Sequence, residues 1–386
     1  DGIRDHCVTG VQTCALPISP LVDRVPIFFL TKRLGRRRSW LLFAQTLIII
    51  GLLGMASSDP KQDLQPIILF ALLVAFASAT QDIALDAFRI ESAKPQYQAA
   101  LAASYQTGYR LAMIWAGAGA LWLAARAEQG IGVYFANAWQ FAYLVMALSI
   151  GVGVITTLLS PEPQMVKALR ARSPKEWLLQ TIVQPFADFI GRYRWHAFLI
   201  LALIGIYRIS DVVMGIMANP FYVDMGYSKD EVAAITKVFG VIMTLLGAFL
   251  GGILALRFGV MRILFLGAVL SAASNLLFAW LSTRGHDLNG LVWVISADNL
   301  SSGIASAAFI AYLSSLTNVQ YSATQYALFS SMMLLAPKWL AGFSGVYVDR
   351  FGYESFFTTT ALIGIPVLVL IGIAIRIQSR DSSRTQ

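Results

Sequence analysis

Residues 138–159 read AWQFAYLVMALSIGVGVITTLL, 22 residues without one charged side chain. As an α-helix rising about 1.5 Å per residue, such a run reaches about 33 Å, enough to cross the roughly 30 Å hydrocarbon core of a bilayer. Apolar and polar residues do not alternate along it, so it does not read as a barrel strand. A helix bonds its own backbone, which is what hydrocarbon demands of a spanning segment. The same reading holds at 39–56, 66–88, 99–124, 197–223, 231–256, 263–282, 290–316, 323–348 and 353–375. With 138–159 these make ten spans. The sequence therefore predicts an all-α polytopic membrane protein.

Composition agrees. Hydrophobic residues make up 57% of the 386-residue chain and charged residues 13%, against about 25% charged in soluble domains. A water-facing globule of this size lacks the polar surface it would need. The net charge of +8 could suggest nucleic acid, but the basic residues cluster in short connections between spans. The alternating set 19–38, 89–98, 160–196, 257–262, 317–322 and 376–386 carries 19 Lys/Arg, whereas the other connections carry five. That bias assigns the richer set, and with it the C-terminus, to the cytoplasm. Of the remaining cations, Arg4 precedes every span, while Arg110, Arg208, Lys237 and Lys338 lie inside spans.

Residues 1–18, DGIRDHCVTGVQTCALPI, are unlike the rest of the chain. They hold His6 and both cysteines, Cys7 and Cys14, without a metal-ligand spacing or a disulfide framework. The stretch resembles translated adapter sequence and is expected to be non-native; it contains no signal-peptide core. The longest connection, 160–196, places Trp177, Leu178, Ile182, Phe186, Phe189 and Ile190 near helical spacing. Part of it is expected to lie flat on the inner leaflet. Four spans precede this connection and six come after it, which suggests a six-plus-six plan lacking two spans at the front. The expected organisation is a half at 19–159, a central loop at 160–196, a six-helix half at 197–377 and a tail at 378–386. With two helices absent, the chain as written is expected to be inactive or unstable.

One connection carries a marker. Major facilitator transporters bear G-x-x-x-D-R-x-G-R-R between their second and third helices. Here Asp23-Arg24 is followed, after an insertion, by Gly35-Arg36-Arg37-Arg38. The corresponding loop of the second half, 252–262, has Leu256 in place of the acid. Further stretches sharpen the likeness: SPLVDR at 19–24, SATQDIALDAFRIE at 78–91 and YQTGYRLAMIWAGAGALWLA at 105–124. So do YRISDVVMGIMANPFYVDMGYSKDE at 207–231, KVFGVIMTLLGAFLGGIL at 237–254, SADNLSSGIASAAFIAYLSSL at 296–316 and SATQYALFSS at 322–331. From about Ser19 to Ile377 the chain resembles the muropeptide permeases of AmpG type. The resemblance implies a major facilitator fold of two pseudo-symmetric halves, with about ten of twelve transmembrane helices present. It implies a monomeric inner-membrane importer that uses the proton motive force and no cofactor. Its cargo would be N-acetylglucosaminyl-anhydro-N-acetylmuramic acid, with or without stem peptide, moved from periplasm to cytoplasm for peptidoglycan recycling and, in some hosts, β-lactamase induction.

An ionisable group at membrane depth costs at least about 2.5–3.5 kcal/mol and normally faces a partner or water. Asp82, Asp86 and Arg89 share one helical face near the cytoplasmic end of 66–88. Asp86, Arg89 and Glu91 are expected to latch onto the basic loop, with Asp23, Arg24, Gly35, Arg36 and Arg37 as the gating set. Asp82, a turn deeper, stands open between latch and pathway. Arg110, one turn from Gln106, is either the counter-ion of Asp82 or a clamp for a substrate carboxylate. AGAGA at 116–120 is expected to be a close-packing face, because no strand precedes its G-x-G. Arg208 and Asp211 can pair at i, i+3. Asn219-Pro220 suggests a kink that opens backbone. Lys237 stands about two turns into its span, and Gly247 and Gly251 form a packing G-x-x-x-G. Asp298-Asn299 precede Ser301, Ser302 and Ser306, and Gln325 precedes Pro337-Lys338-Trp339.

The halves then correspond, Asp82 with Asp298 and Arg110 with Lys338, which suits a site at the pseudo-twofold interface. Asp82, Gln106, Arg110, Arg208, Asn219, Lys237, Asn299, Gln325, Lys338 and Trp339 are the candidate substrate-binding residues. Sugar rings offer faces to aromatics and hydroxyls to amides; stem-peptide carboxylates suit arginine. Asp211 and Asp298 are the candidate proton carriers, with Asp298 favoured because no cation is apparent beside it in the sequence. An enzyme is disfavoured: His6, His196 and His286 lie outside the spans, and neither H-E-x-x-H nor G-x-S-x-G occurs. The alternative is another major facilitator carrier, either acetyl-CoA transporter-like or a sugar or drug transporter.

Overall fold

The computed structural model describes residues 18–27, 29–127, 136–163, 173, 176 and 179–384, leaving aside the side chains at 95, 181, 182, 229, 230, 233, 237, 238 and 378–384. No strand occurs among the described residues. After helical residues 18–24 and a short helix at Leu30–Leu34, the helices are α1 Arg36–Ala56, α2 Leu64–Ser92, α3 Gln98–Ile114, α4 Ala120–Ala127, α5 Ala136–Leu159, α6 Gln184–Tyr193, α7 His196–Ile206 and α8 Ile209–Asp224. They continue as α9 Lys229–Ala234, α10 Gly240–Phe258, α11 Val260–Ser282, α12 Leu288–Leu316, α13 Ser322–Ala341, α14 Ser344–Ile363 and α15 Ile365–Arg384.

Eight stretches of the described residues are long and apolar enough to cross a membrane. They match expected spans, except that 99–124 and 323–348 fall short. The first is helical throughout and the second is interrupted at Gly342 and Phe343; Gln106 and Arg110 in one and Gln325 and Lys338 in the other dilute their apolar character. The eighth stretch, Ser344–Ile377, contains a turn at Gly352 (φ 76°, ψ 170°), a conformation that glycine adopts without steric cost. The protein is a multi-pass membrane protein.

The chain divides into two compact units. One comprises Asp1–Ala93, Leu111–Asp188 and Thr317–Leu328. In it α1 packs on α2 and α5, burying Trp40 and Leu41 against Ile83, Ala84, Ala87, Val22 and Ala323. A cavity of about 350 Å³ lies between Leu52 of α1, Trp115 and Trp139 and Tyr143 of α5. The AGAGA stretch departs from expectation. Trp115–Gly119 forms a π-helical turn, and a side chain at Gly117 would meet nothing within 4 Å. The wider turn leaves Gly117 on an open face, where among the described residues no neighbouring helix packs against it.

The other unit comprises Lys94–Arg110, Phe189–Leu316 and Phe329–Gln386. Here the G-x-x-x-G reading holds: α10 crosses α12 so closely that a Cβ on Gly251 would stand 2.9 Å from the Ile304 Cα. Phe221, Phe278 and Phe357 form an aromatic core with ring centroids 5.2–6.2 Å apart, which joins α8, α11 and α14.

The span 197–223 breaks where the sequence did not suggest. Helix α8 runs through Pro220 to Asp224, and the interruption falls at Tyr207–Arg208. Proline removes one backbone bond, but buried Met217, Phe221 and Tyr222 hold α8 in the aromatic core on either side of it. At the break, the Tyr207 hydroxyl donates to the Leu264 carbonyl at 3.1 Å and its ring stacks on Phe309.

Candidate functional site

The break sets up a charged cluster in the second unit. Arg208 stands at the N-cap of α8, and Asp211 occupies its first turn, where the helix dipole favours an anion. The Arg208 guanidinium donates to Asp211, the i, i+3 pair that the spacing predicts. Arg110, on α3, lies within electrostatic range of both, and its buried Nε has no hydrogen-bond partner among the described residues. Asp298, on α12, lies within range of Asp211 and accepts from Ser274 Oγ at 3.0 Å. Among the described residues Ser274 is its one hydrogen-bond partner. The Tyr222 phenol faces Asp298 electrostatically.

Beside them Asn275 donates to Ser210 Oγ at 2.9 Å, and Ser210 donates to the Thr360 carbonyl at 2.7 Å. The Asn275 Oδ1 is buried without a partner among the described residues. Helices α3, α8, α11 and α12 thus contribute side chains to one polar patch at membrane depth. Sequence reasoning missed Tyr222, Ser274 and Asn275; the adjacent Ser274-Asn275 within an otherwise apolar span was the available signal.

Other candidates lie elsewhere or are already bonded. Asn299 accepts from Thr244 at 2.9 Å and donates to the Ile295 carbonyl, so it ties α10 to α12. Gln106 is half-buried a turn from Arg110, and Asn219 is exposed on α8. Lys338 is half-buried, whereas Trp339 is exposed and packs edge-on against Phe343. The Lys237 side chain lies outside the described residues, as do Trp177, Leu178 and the side chain of Ile182.

The first unit holds an ion network. Arg37 bonds Asp23, Glu91, Ser322 and the Val22 carbonyl. Arg36 adds a longer contact to Glu91 at 3.6 Å and donates to the Asp23 carbonyl. Asp23 in turn accepts from the amides of Ala323 and Thr324 at 3.2 and 2.9 Å and from the Thr324 hydroxyl at 2.7 Å. A carboxylate therefore caps the N-terminal end of α13. Gly35 (φ 88°) turns the chain into α1. The Glu162 carboxylate accepts from the Arg37 and Arg38 amides at 2.8 and 3.1 Å, capping α1 from 125 residues away.

The expected latch is corrected in one respect. Glu91 meets the basic segment, but Asp86 pairs with Arg89 at 3.3 Å on its own helix, and Arg89 lies over the Tyr326 ring. Three residues along α2 Asp86 faces Arg89, too early in the helix to share Glu91's partners. Asp82 is exposed on α2.

Around the same network, Arg24 donates to the Gln180 carbonyl and lies 5.6 Å over Tyr321. Burial pushes the Tyr321 phenol above its ordinary pKa, keeping it protonated to donate to Gln184 at 3.2 Å. Gln325 is buried and fully engaged. It donates to the Pro185 carbonyl and Asp188 and accepts from the Asn318 amide. Both of its N–H groups are thus spent within the protein, contrary to its expected role.

Comparison with known proteins agrees with this architecture. The Major Facilitator Superfamily profile matches residues 13–243. A Rickettsia conorii relative designated AmpG 4 is 33% identical over 354 residues, 92% of this chain and 83% of the relative. The anhydromuropeptide permease of Escherichia coli K12 is 34% identical over 355 residues, 92% of this chain and 68% of the permease. Among solved structures, the E. coli fucose:proton symporter superposes with a TM-score of 0.67 at 13% identity, covering 95% of both chains. The human organic anion transporter MFSD10 does so with a TM-score of 0.66 at 12% identity, covering 95% of this chain and 82% of its own. At such identities these two show the fold alone. With its helical spans, its Asp23–Arg37 marker network and these matches, the chain is a membrane transporter rather than an enzyme, and it belongs to the Major Facilitator Superfamily and, within it, to the AmpG-type permease family.

Proposed function

We propose that the chain is a proton-coupled importer of anhydro-muropeptides across the inner membrane, from periplasm to cytoplasm, acting as a monomer. One observation carries this reading: Arg110, Arg208, Asp211 and Asp298 gather at membrane depth, where ions persist when a solute or a proton uses them. The permease named for anhydromuropeptides supports the choice of cargo. Arg110, whose buried Nε has no hydrogen-bond partner among the described residues, suits the carboxylate of a lactyl group or stem peptide. Asp211 has Arg208 as counter-ion, which leaves Asp298, held by a neutral serine, as the acid to gain and lose the proton. The charge bias of the connections supports a cytoplasmic C-terminus.

The test uses proteoliposomes under an imposed proton gradient. Labelled anhydro-muropeptide should accumulate, whereas labelled acetyl-CoA and free hexose should not. Asp298→Asn should abolish accumulation while sparing counterflow exchange. Accumulation that survives Asp298→Asn removes the proton role, and accumulation of acetyl-CoA or hexose alone replaces the cargo.

A further inference from the structure

Helix α6 and the π-helical turn Leu179–Val183 before it present an inverted amphipathic pattern. Leu179, Val183, Phe186 and Ile190 recur at helical spacing, and all four are exposed. The opposite face is polar and engaged. Gln184 accepts from Tyr321, and Asp188 accepts from Asn318 and Gln325, while Phe189 is 2% exposed. A helix beside water turns its apolar stripe inward. This one turns it outward, so its outer face suits hydrocarbon.

The neighbouring residues fix its depth. Arg192 and Arg194 end the segment, and Trp195, 91% exposed, stands immediately before the membrane span His196–Asp224. Arginine and tryptophan at a span's end mark the headgroup level. Counting Arg192 and Arg194, the connection 160–196 carries six Lys/Arg against three Asp/Glu, an excess that complements anionic headgroups.

We infer that α6 and the turn before it form an interfacial anchor seated on the anionic lipid surface of the cytoplasmic leaflet, with Leu179, Val183, Phe186 and Ile190 dipping into the acyl boundary. The polar contacts of Gln184 and Asp188 then fasten residues 318–325 to that surface. Lipid composition would act on this segment through the anchor.

Spin labelling tests the inference without any transport assay. Cys7 and Cys14 are replaced by serine, and nitroxides are placed singly by Val183→Cys, Phe186→Cys and Ile190→Cys, with Ser173→Cys, which is exposed, as the reference. In phosphatidylcholine vesicles containing phosphatidylglycerol, the three stripe labels should show an oxygen-to-nickel-chelate accessibility ratio several-fold above that at residue 173. Omitting phosphatidylglycerol should lower that ratio. Stripe labels as open to the nickel chelate as residue 173 would overturn the anchor, and ratios unchanged without phosphatidylglycerol would overturn its anionic partner. Because three independent positions report, misfolding of one labelled variant leaves the outcome readable.

Discussion

Replacing Arg37 by methionine keeps much of the side-chain volume and deletes its charge. In the native network Arg37 is 1% exposed, and its partners' side chains Asp23 and Glu91 are 2% and 4% exposed. The substitution therefore leaves two carboxylates buried, with Arg36 the nearest remaining cation at 3.6 Å from Glu91. Removing one member of a buried ion pair costs about 3–5 kcal/mol, chiefly because the other charge stays desolvated. That corresponds to a factor of roughly 10²–10⁴ in the folded-to-unfolded ratio. Neutralising the partners as well, with Asp23→Asn and Glu91→Gln, should recover most of the loss, since buried ionic groups replaced together are often nearly neutral. Unfolding in dodecyl maltoside by titrated sodium dodecyl sulfate, followed by tryptophan fluorescence, reads both variants. The reasoning fails if Arg37→Met unfolds like the wild type, or if the triple variant is no more stable than the single one.

Other substitutions have equally definite outcomes. A Cβ on Gly303 would stand 2.7 Å from the Ala248 amide nitrogen and 2.9 Å from the Gly247 Cα. Gly303→Val should therefore separate α10 from α12 and cost at least about 1–3 kcal/mol, seen as a lower unfolding midpoint. Ser210→Ala should cost about 1–3 kcal/mol by the same assay, because it strips the buried Asn275 amide and Thr360 carbonyl of a partner. Glu162→Ala removes the acceptor for two amides at the start of α1. It should cost about 0.5–2 kcal/mol and speed hydrogen exchange at Arg37 and Arg38, whereas unchanged exchange there would show that Glu162 is no cap.

How much was legible beforehand depends on how local the cause is. Asp23, Arg36, Arg37 and Glu91 could be named because the marker spacing lies within single connections. Their partner Ser322, nearly 300 residues after Asp23, could not be. The Arg208–Asp211 pair was readable as an i, i+3 contact. Asn299 and Gln325 looked like free polar groups in a helix, but Thr244 and Asp188 already bind them. Two small-residue stretches gave opposite results: Gly247 and Gly251 meet α12, whereas among the described residues Gly117 meets nothing within 4 Å.

The sequence by itself determined the class: runs of about twenty apolar residues must become helices wherever water cannot satisfy their backbone, and most lysines and arginines fall in the connections between them. Only the tertiary structure decided which buried charges meet. Arg110, the Arg208–Asp211 pair and Asp298 come from three separate helices. The rotation of each helix about its axis is set by packing, by closures such as Gly251 on Ile304 and Tyr207 on Phe309. A linear pattern specifies that a residue faces inward; the shape of its neighbours specifies what it faces.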